Sequence, residues 1–300
     1  MKQTLVGLVI LDLFFAAMGE ARADFIYWTS FGTNDIRRAD LNGTGQQILV
    51  GDLPGPGGIV VDAAAGRMYW TDYSGGDIRS SNLEGTGQQS LLSGLRSPAG
   101  IDLELAGGRM YWADASGIRR ANLDGTDLET VFTRPGQLRG FALDPANGKV
   151  YWVDNALGII YRANLDGSGL QTLLRQLRGP LGIDLDVAGG KMYWADASGI
   201  RSANLDGSAP HTLVSGLPEP SGLTLDLADG RMYWTDLMRG DIERANLDGS
   251  GQETLVTGLM DPALITVDGR LAPVPAPSTF VLLSIGLLGW TGYAWLRRKV

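Results

Sequence analysis

The sequence predicts an all-β fold, a six-bladed β-propeller built from four-stranded antiparallel blades. The first observation is a Tyr-Trp pair that returns every 40 or 42 residues along most of the chain. The second is a run of four short strand-like segments within each period, separated by glycine-rich turns. Four short strands in about 40 residues are typical of one propeller blade. The six tryptophans of the repeat are Trp28, Trp70, Trp112, Trp152, Trp194 and Trp234.

Each strand of a blade has its own signal in the repeat. A glycine twelve residues before the tryptophan opens the first strand, the Tyr-Trp pair marks the second, and an isoleucine leads the third. An Asp-Gly step follows the third strand, and this dipeptide is a strong signal for a tight hairpin turn. In the third repeat the strands read "GIDLE", "MYWAD", "IRRANL" and "LETVF".

The first and last predicted strands of the propeller body, residues 24–271, can belong to the same blade. The body begins with a second strand, "FIYWTS", that has no first strand before it. It finishes with a first strand, "PALITVDG", in which Leu264 takes the place of the usual glycine. We therefore expect a strand at 263–268 to complete the N-terminal blade, close the ring and remove an exposed sheet edge.

Segments outside the body predict export. Residues 1–23 read as a signal peptide, because Lys2 precedes an apolar run and the small residues Ala21 and Ala23 precede Asp24. Residues 272–278 form a Pro-rich linker, and the uncharged 279–296 are long enough for a transmembrane helix. The basic end, 297–300, would stay cytoplasmic. These features predict an exported body with a C-terminal inner-membrane span.

Composition narrows the possible chemistry. The chain has no cysteine, so disulfides, thiolate metal sites and cysteine nucleophiles are excluded. Its one histidine, His211, lies in a predicted turn and is expected to be an ordinary surface residue. Without the terminal segments, 20 basic residues face 31 acidic ones, a net charge of −11. An acidic exported body argues against nucleic acid as a partner.

One aspartate per blade closes the Tyr-Trp strand in five repeats, with Ser30 in the sixth. A carboxylate repeated at one position predicts a structural bond, either to loop N–H groups or to arginines of the third strand. A catalytic pair needs an acid and a base in different environments, which a repeat does not supply. The aspartates are Asp72, Asp114, Asp154, Asp196 and Asp236, and the arginines are Arg38, Arg120, Arg162 and Arg244.

Length variation is confined to the loop between the second and third strands, which is shorter in blades 3 and 5. We expect this loop to share a face with the return loops that lead to the next blade. Five return-loop arginines are neighbours on one side of the ring and predict a binding face for a carboxylate- or sulfate-bearing ligand. The alternative is that they pair with nearby aspartates and tie blades together. They are Arg96, Arg134, Arg139, Arg175 and Arg178.

Asp102 and Asp184 lie in first strands, which are expected to line the central channel. The two carboxylates could hold a cation such as calcium, or could simply be solvated in the channel. No other cofactor is expected. A metal at this position would support the alternative function, a metal-dependent hydrolase or lactonase that works at the channel.

The motif "YWTD" at 69–72 and 233–236, with "GIxxD" variants before it and "NLDG" after it, resembles the class B (YWTD) repeat of low-density-lipoprotein-receptor-type proteins. The resemblance extends over about 24–270. It implies a six-bladed propeller that binds proteins or matrix components and has no catalytic activity. "YWTS", "YWAD" and "YWVD" depart from the motif, and the family's cysteine-rich flanking modules are absent.

The tail from Val274 resembles a bacterial PEP-CTERM sorting signal, with a proline motif, one span and basic residues. This resemblance implies an exosortase-type processing enzyme and a place in extracellular polysaccharide. Ala276 replaces the usual glutamate, so an uncut anchor is the alternative. Together these features predict a non-enzymatic, secreted or surface-attached binding protein for extracellular polysaccharide or a surface protein. A purely structural spacer is a further alternative.

Overall fold

The structure, a computed structural model, describes residues 24–133 and 136–269. Within these ranges 24 strands form six four-stranded antiparallel sheets, which confirms the predicted propeller. The predicted signal peptide, linker, membrane helix, basic end and Arg134 lie outside the described residues. No helix in the described ranges is long and apolar enough to cross a membrane.

The two inner strands of each blade are formed by the segment at or just after the first-strand glycine (Leu264 in blade 1) and by the Tyr-Trp segment. The innermost strands, for blades 1 to 6, are β24 (Pro262–Val267), β4 (Pro56–Asp62), β8 (Ile101–Glu104), β12 (Leu138–Asp144), β16 (Ile183–Asp186) and β20 (Pro220–Asp226). The second strands are β1 (Phe25–Ser30), β5 (Arg67–Asp72), β9 (Arg109–Asp114), β13 (Lys149–Asp154), β17 (Lys191–Asp196) and β21 (Arg231–Asp236).

The third strands have six residues, like the second strands, and the fourth strands are shorter and more exposed. The third strands are β2 (Asp35–Asp40), β6 (Asp77–Asn82), β10 (Gly117–Asn122), β14 (Ile159–Asn164), β18 (Gly199–Asn204) and β22 (Asp241–Asn246). The fourth strands are β3 (Gln47–Val50), β7 (Gln89–Leu92), β11 (Glu129–Thr133), β15 (Gln171–Leu174), β19 (His211–Val214) and β23 (Glu253–Val256). His211 is exposed, as predicted, but it is the first residue of β19 and does not lie in a turn.

Strand β24 completes the first blade. It pairs antiparallel with β1, placing Thr266 opposite Tyr27, and it begins and ends one residue earlier than the predicted 263–268. It also contacts β20 of blade 6 and β4 of blade 2. The first blade therefore combines strands from the beginning and the end of residues 24–271. Blades 2 and 6 both pack against its last member in sequence order, β24.

The hydrophobic core lies between blades rather than inside one of them. All six repeat tryptophans have 0% of their surface exposed. Trp70 of blade 2, for example, packs in one cluster with Tyr27 and Ile36 of blade 1 and Ile59 of its own blade. Large aromatic side chains contribute strongly to the stability of a hydrophobic core. The buried tryptophan of each blade therefore contributes to the packing between neighbouring blades.

The third-strand arginines also join blades. Arg38 donates from Nη1 to the carbonyl oxygen of Leu83 in the next blade (3.2 Å) and pairs with Glu84 (2.8 Å). The corresponding arginines of three other blades make the same carbonyl contact. The pairs are Arg120 with Leu165, Arg162 with Leu205, and Arg244 with Leu41. The sequence left two kinds of partner open for the repeated aspartates, and these four arginines are not the kind present in the structure.

Candidate ligand-binding face

Two sets of loops form one face of the ring, as predicted. We call this the loop face; it consists of the loops between second and third strands together with the return loops between blades. Backbone hydrogen bonds tie the two sets together, for example Ala115 N–H to Arg96 C=O and Ala197 N–H to Arg178 C=O, both 2.8 Å. The face is thus a hydrogen-bonded rim held on rigid sheets, which is a common setting for recognition.

The repeated aspartates hold these loops in place. Each of the five accepts at least one backbone N–H from the loop that follows its strand. Asp236 also accepts the N–H of Glu219 (3.3 Å), and so fixes the return loop as well. Asp114 and Asp196 add ion pairs with Arg119 (3.4 Å) and Arg201 (3.5 Å). These buried carboxylates therefore fix the conformation of the loops that form the face.

A depression of about 500 Å³ lies at the centre of the loop face. Pockets of about 300–1,000 Å³ accommodate ligands, so its size is in the useful range. Its lining includes the first loop residue after the Tyr-Trp strand in four blades: Phe31, Tyr73, Asn155 and Leu237. The shorter loops of blades 3 and 5 have alanine at this position, and neither alanine is part of the lining.

Arg139 is the predicted arginine that reaches this depression. Its guanidinium carbon lies 4.8 Å from the centroid of the Tyr73 ring, at a distance typical of a cation–π contact. Glu219 also lines the depression, so the site carries both signs of charge. The stacked ring orients the guanidinium and leaves it able to donate hydrogen bonds to a ligand carboxylate.

The remaining described arginines lie on the return loops, outside the lining of the depression. Arg96, Arg175 and Arg178 are exposed. Arg175 donates to Thr172 Oγ1 at 3.3 Å. In residues 24–133 and 136–269, no ion pair within 4.0 Å involves any of these three or Arg139. The alternative that these arginines pair with neighbouring aspartates is therefore not what the described structure contains.

Apolar side chains are exposed on the same face. Met238 is 71% exposed in the loop of blade 6, and Met260 is 61% exposed in the return loop from blade 6 to blade 1. Leu157 in the loop of blade 4 is 57% exposed, and Phe31 at the edge of the depression is 39% exposed. The loop face thus combines unpaired cationic groups with accessible apolar surface.

Asp102 and Asp184 do not face the channel, contrary to the prediction. Both are buried, and each carboxylate bridges two blades. Asp102 Oδ1 accepts the N–H of Leu103 and its Oδ2 accepts the N–H of Leu143 in blade 4, both at 2.9 Å. Asp184 repeats this arrangement between blades 5 and 6. Their backbone partners explain why two carboxylates can be buried at these positions.

The channel itself is narrow. One cavity along it has a volume of about 30 Å³ and is lined by first-strand glycines and aliphatic or aromatic residues such as Ile59, Phe141 and Leu264. This cavity is far smaller than a ligand pocket, whereas the depression on the loop face, which shares Leu264 with it, is not. Among the described residues, no group of three or more His, Asp or Glu side chains is arranged to hold a metal ion.

Apart from Arg139, sequence reasoning missed the residues that line the depression. Phe31, Tyr73, Asn155 and Leu237 share one position in the repeat, directly after the strand that ends in Asp or Ser. Their side chains differ in size and polarity, so no periodic pattern marks them. The sequence marks this position only indirectly. It is the first residue of the loop whose length varies, and it is alanine in the two short loops.

Comparison with known proteins agrees with the propeller fold. Residues 230–268 match low-density lipoprotein receptor repeat class B. A chain from the crystal structure of the nidogen/laminin complex superposes with a TM-score of 0.73 at 24% identity, covering 82% of this chain and 98% of that one. A protein of unknown function from Bacteroides thetaiotaomicron VPI-5482 gives a TM-score of 0.63 at 15% identity, covering 82% and 71%.

No curated protein matches the sequence significantly. The two structural likenesses, at 24% and 15% identity, show the fold alone. The family match spans the sixth blade from β21 onward and the closing strand β24. The chain is therefore a six-bladed β-propeller whose residues 230–268 match the low-density lipoprotein receptor class B repeat, in agreement with the "YWTD" resemblance.

Proposed function

We propose that this protein is an exported, non-enzymatic binding protein that holds a macromolecular ligand in the depression of the loop face. The observation that carries the proposal is the convergence of Phe31, Tyr73, Leu237 and Arg139 on one depression of about 500 Å³. Aromatic residues and arginine are the side chains that contribute most to binding energy at protein interfaces. Among the described residues, the hydrolase alternative has no comparable convergence of metal-ligating side chains to support it.

The ligand that fits best is a protein segment with acidic and apolar side chains. Arg139, held against Tyr73, would receive a carboxylate. Phe31, Met238 and Leu237 would bury apolar side chains, which a polysaccharide does not offer in comparable amount. The structural likeness to a chain of the nidogen/laminin complex supports this choice, because that propeller was crystallised in a complex of two proteins.

The path of the chain is consistent with display from a surface. Ser30 and Pro262 pair at the loop-face end of blade 1, while Ile26 and Val267 pair at the opposite end. Both ends of the described body therefore leave from the face opposite the depression. The proposed signal peptide and the tail at 272–300, whether cut by an exosortase-type enzyme or kept as an anchor, would leave the loop face directed outward.

A photo-crosslinking amino acid tests the proposal on the exported full chain. It replaces Phe31 in one variant and Glu84, an exposed residue at the opposite end of a blade, in the control. We expect protein adducts from the cell surface at position 31 and not at position 84, and we expect excess unlabelled protein to suppress them. Equal adducts at both positions would contradict a loop-face site.

A second experiment distinguishes a protein ligand from a polysaccharide ligand. The purified full chain is titrated with an acidic, a neutral and a basic polysaccharide at low and high salt. The protein-ligand proposal predicts no saturable binding to any of the three. Salt-sensitive binding to the acidic polymer, reduced by charge reversal of Arg139 and Arg178, would instead assign the face to an acidic matrix polysaccharide.

A further inference from the structure

The two ends of the described body meet at one carboxylate. Oδ1 of Asp268 accepts the backbone N–H of Asp24 at 2.7 Å and that of Phe25 at 3.2 Å. The N–H of Asp268 in turn donates to the carbonyl oxygen of Phe25 (3.3 Å). Asp268 directly follows β24, the closing strand, and Asp24 directly precedes β1. One side chain therefore links the first and last backbone segments of blade 1.

The sequence predicts that the chain is cut at the same place. Ala21 and Ala23 provide the small residues at −3 and −1 that leader-removing proteases require, which places the cut before Asp24. Hydrolysis adds water across the Ala23–Asp24 peptide bond. A carboxylate is left on Ala23, and an α-amino group is left on Asp24. This amine has an ordinary pKa of about 7.7–8.0, so it takes up a proton at neutral pH.

We propose that removal of the leader before Asp24 creates an α-ammonium group that forms an ion pair with Asp268 and so locks the closing strand of the ring. The uncut chain offers one neutral N–H at this position. The cut chain offers three donors and a positive charge at the same atom. Hydrogen bonds between an ammonium and a carboxylate are typically 2.7–2.9 Å long, which matches the distance already present between Asp24 N and Asp268 Oδ1.

The surroundings of Asp268 favour such a cation. Burial raises the pKa of the Asp268 carboxyl, and the nearby carboxylate of Asp24 raises it further, while the two backbone N–H bonds lower it. A positive charge on Asp24 N would offset the first two effects and stabilise the ionised carboxylate. The inference rests on export of the chain but not on ligand binding, so it can fail while the proposed function stands.

The first measurement identifies the N-terminus. Mass spectrometry of the exported full chain is expected to find Asp24 as the first residue. A different first residue would overturn the inference, because the amine would then lie away from Asp268. This result is independent of the crosslinking experiment on the loop face.

The second measurement tests the ion pair. The chain from Asp24 to Val300 is prepared with a free amine and, separately, with that amine acetylated, in the natural sequence and in Asp268→Asn. Acetylation is expected to lower the melting temperature by about 1–3 °C in the natural sequence and by less than about 0.5 °C in Asp268→Asn. The asparagine still accepts the backbone N–H bonds, so only the charge differs. Equal shifts in both backgrounds, or none in either, would overturn the lock.

Discussion

Arg139 of blade 4 reaches across blade 3 and lies over the ring of Tyr73 in blade 2, 4.8 Å from its centroid. The short loop of blade 3, which begins at Ala115, stands between these two residues along the ring. A contact between blades 2 and 4 that crosses blade 3 would be sensitive to the length of that loop. The two-residue difference visible in the sequence is thus connected to the geometry of the depression.

The first prediction concerns this pair. Arg139→Ala is expected to weaken binding of the loop-face ligand by about fivefold to thirtyfold, because both the charge and the stacked guanidinium are lost. Arg139→Lys should weaken binding less than Arg139→Ala does, because lysine keeps the positive charge but lacks the planar guanidinium group. Arg178→Ala is the matched control, exposed and outside the lining, and should change affinity less than twofold. Isothermal titration with the crosslinked partner measures all three; a loss at Arg178 as large as at Arg139 would point to a diffuse polyanion site.

The second prediction concerns the buried carboxylates between blades. Asp102→Ala removes the acceptor for two buried N–H groups, those of Leu103 and Leu143, and is expected to lower the free energy of unfolding by about 2–4 kcal/mol. Asp102→Asn keeps one acceptor oxygen and should cost less. Chemical denaturation with and without calcium measures both variants. A calcium-dependent stabilisation that disappears in Asp102→Asn would mean that the carboxylate holds a cation after all.

The blades were predictable from sequence because every blade repeats the same burial pattern. The error about Asp102 has a physical cause: the sheets are radial, so the channel is lined by the edge of each first strand and not by one of its faces. Both faces of that strand pack against neighbouring blades, and the side chain of Asp102 therefore points into a junction. The channel is lined by the backbone of the first-strand glycines and by the residues directly after them, such as Ile101.

The strand register explains why the third-strand arginines named from the sequence do not meet the repeated aspartates. Arg120 pairs with Tyr111, three residues before Asp114, so it lies far along the strand from that carboxylate. Arg119, which pairs with Trp112, is the arginine that reaches Asp114. Composition alone cannot separate two adjacent arginines that point to opposite faces of a strand. The lining of the depression was unpredictable for another reason, since it depends on loop conformations that do not repeat.

The third prediction concerns the close approach of the innermost strands. A Cβ atom at Gly140 would lie 2.2 Å from the carbonyl oxygen of Leu181 in blade 5, so Gly140→Ala is expected to destabilise the protein by about 2–4 kcal/mol. Gly51→Ala is the matched control, because its Cβ would meet nothing within 4 Å and its backbone needs no glycine. Thermal unfolding compares the two. Similar melting temperatures for both variants would mean that the inner strands can move apart at little cost.

The fourth prediction concerns an unusual carboxyl group in blade 6. In blade 1, Arg37 pairs with Asp35 at 2.8 Å, but in blade 6 the arginine position is occupied by Glu243. Asp241 is buried beside it, and its Oδ1 has no hydrogen-bond partner among the described residues. Burial, followed by the charges of Glu243 and Asp236, raises the pKa of Asp241 to about 6.

The sign of the pH effect follows from this shift. The folded protein keeps a proton on Asp241 up to about pH 6, whereas the unfolded chain releases it near its ordinary pKa of about 3.9. The stabilisation is therefore complete below about pH 4 and is lost as the pH rises through 6. Asp241→Asn removes this loss, so we expect a gain of about 1–2 kcal/mol in unfolding free energy at pH 7.5 and little change at pH 4.

Urea unfolding at pH 4, 5.5 and 7.5 measures this difference, with Glu84→Gln as the control of opposite sign. The hydrogen bond from Arg38 lowers the pKa of the Glu84 carboxyl, so that variant should lose stability at pH 7.5 and approach the natural protein at low pH. If Asp241→Asn stabilises the protein equally at pH 4 and pH 7.5, the gain comes from packing or hydrogen bonding of the amide. The buried charge in blade 6 would then have no measurable cost.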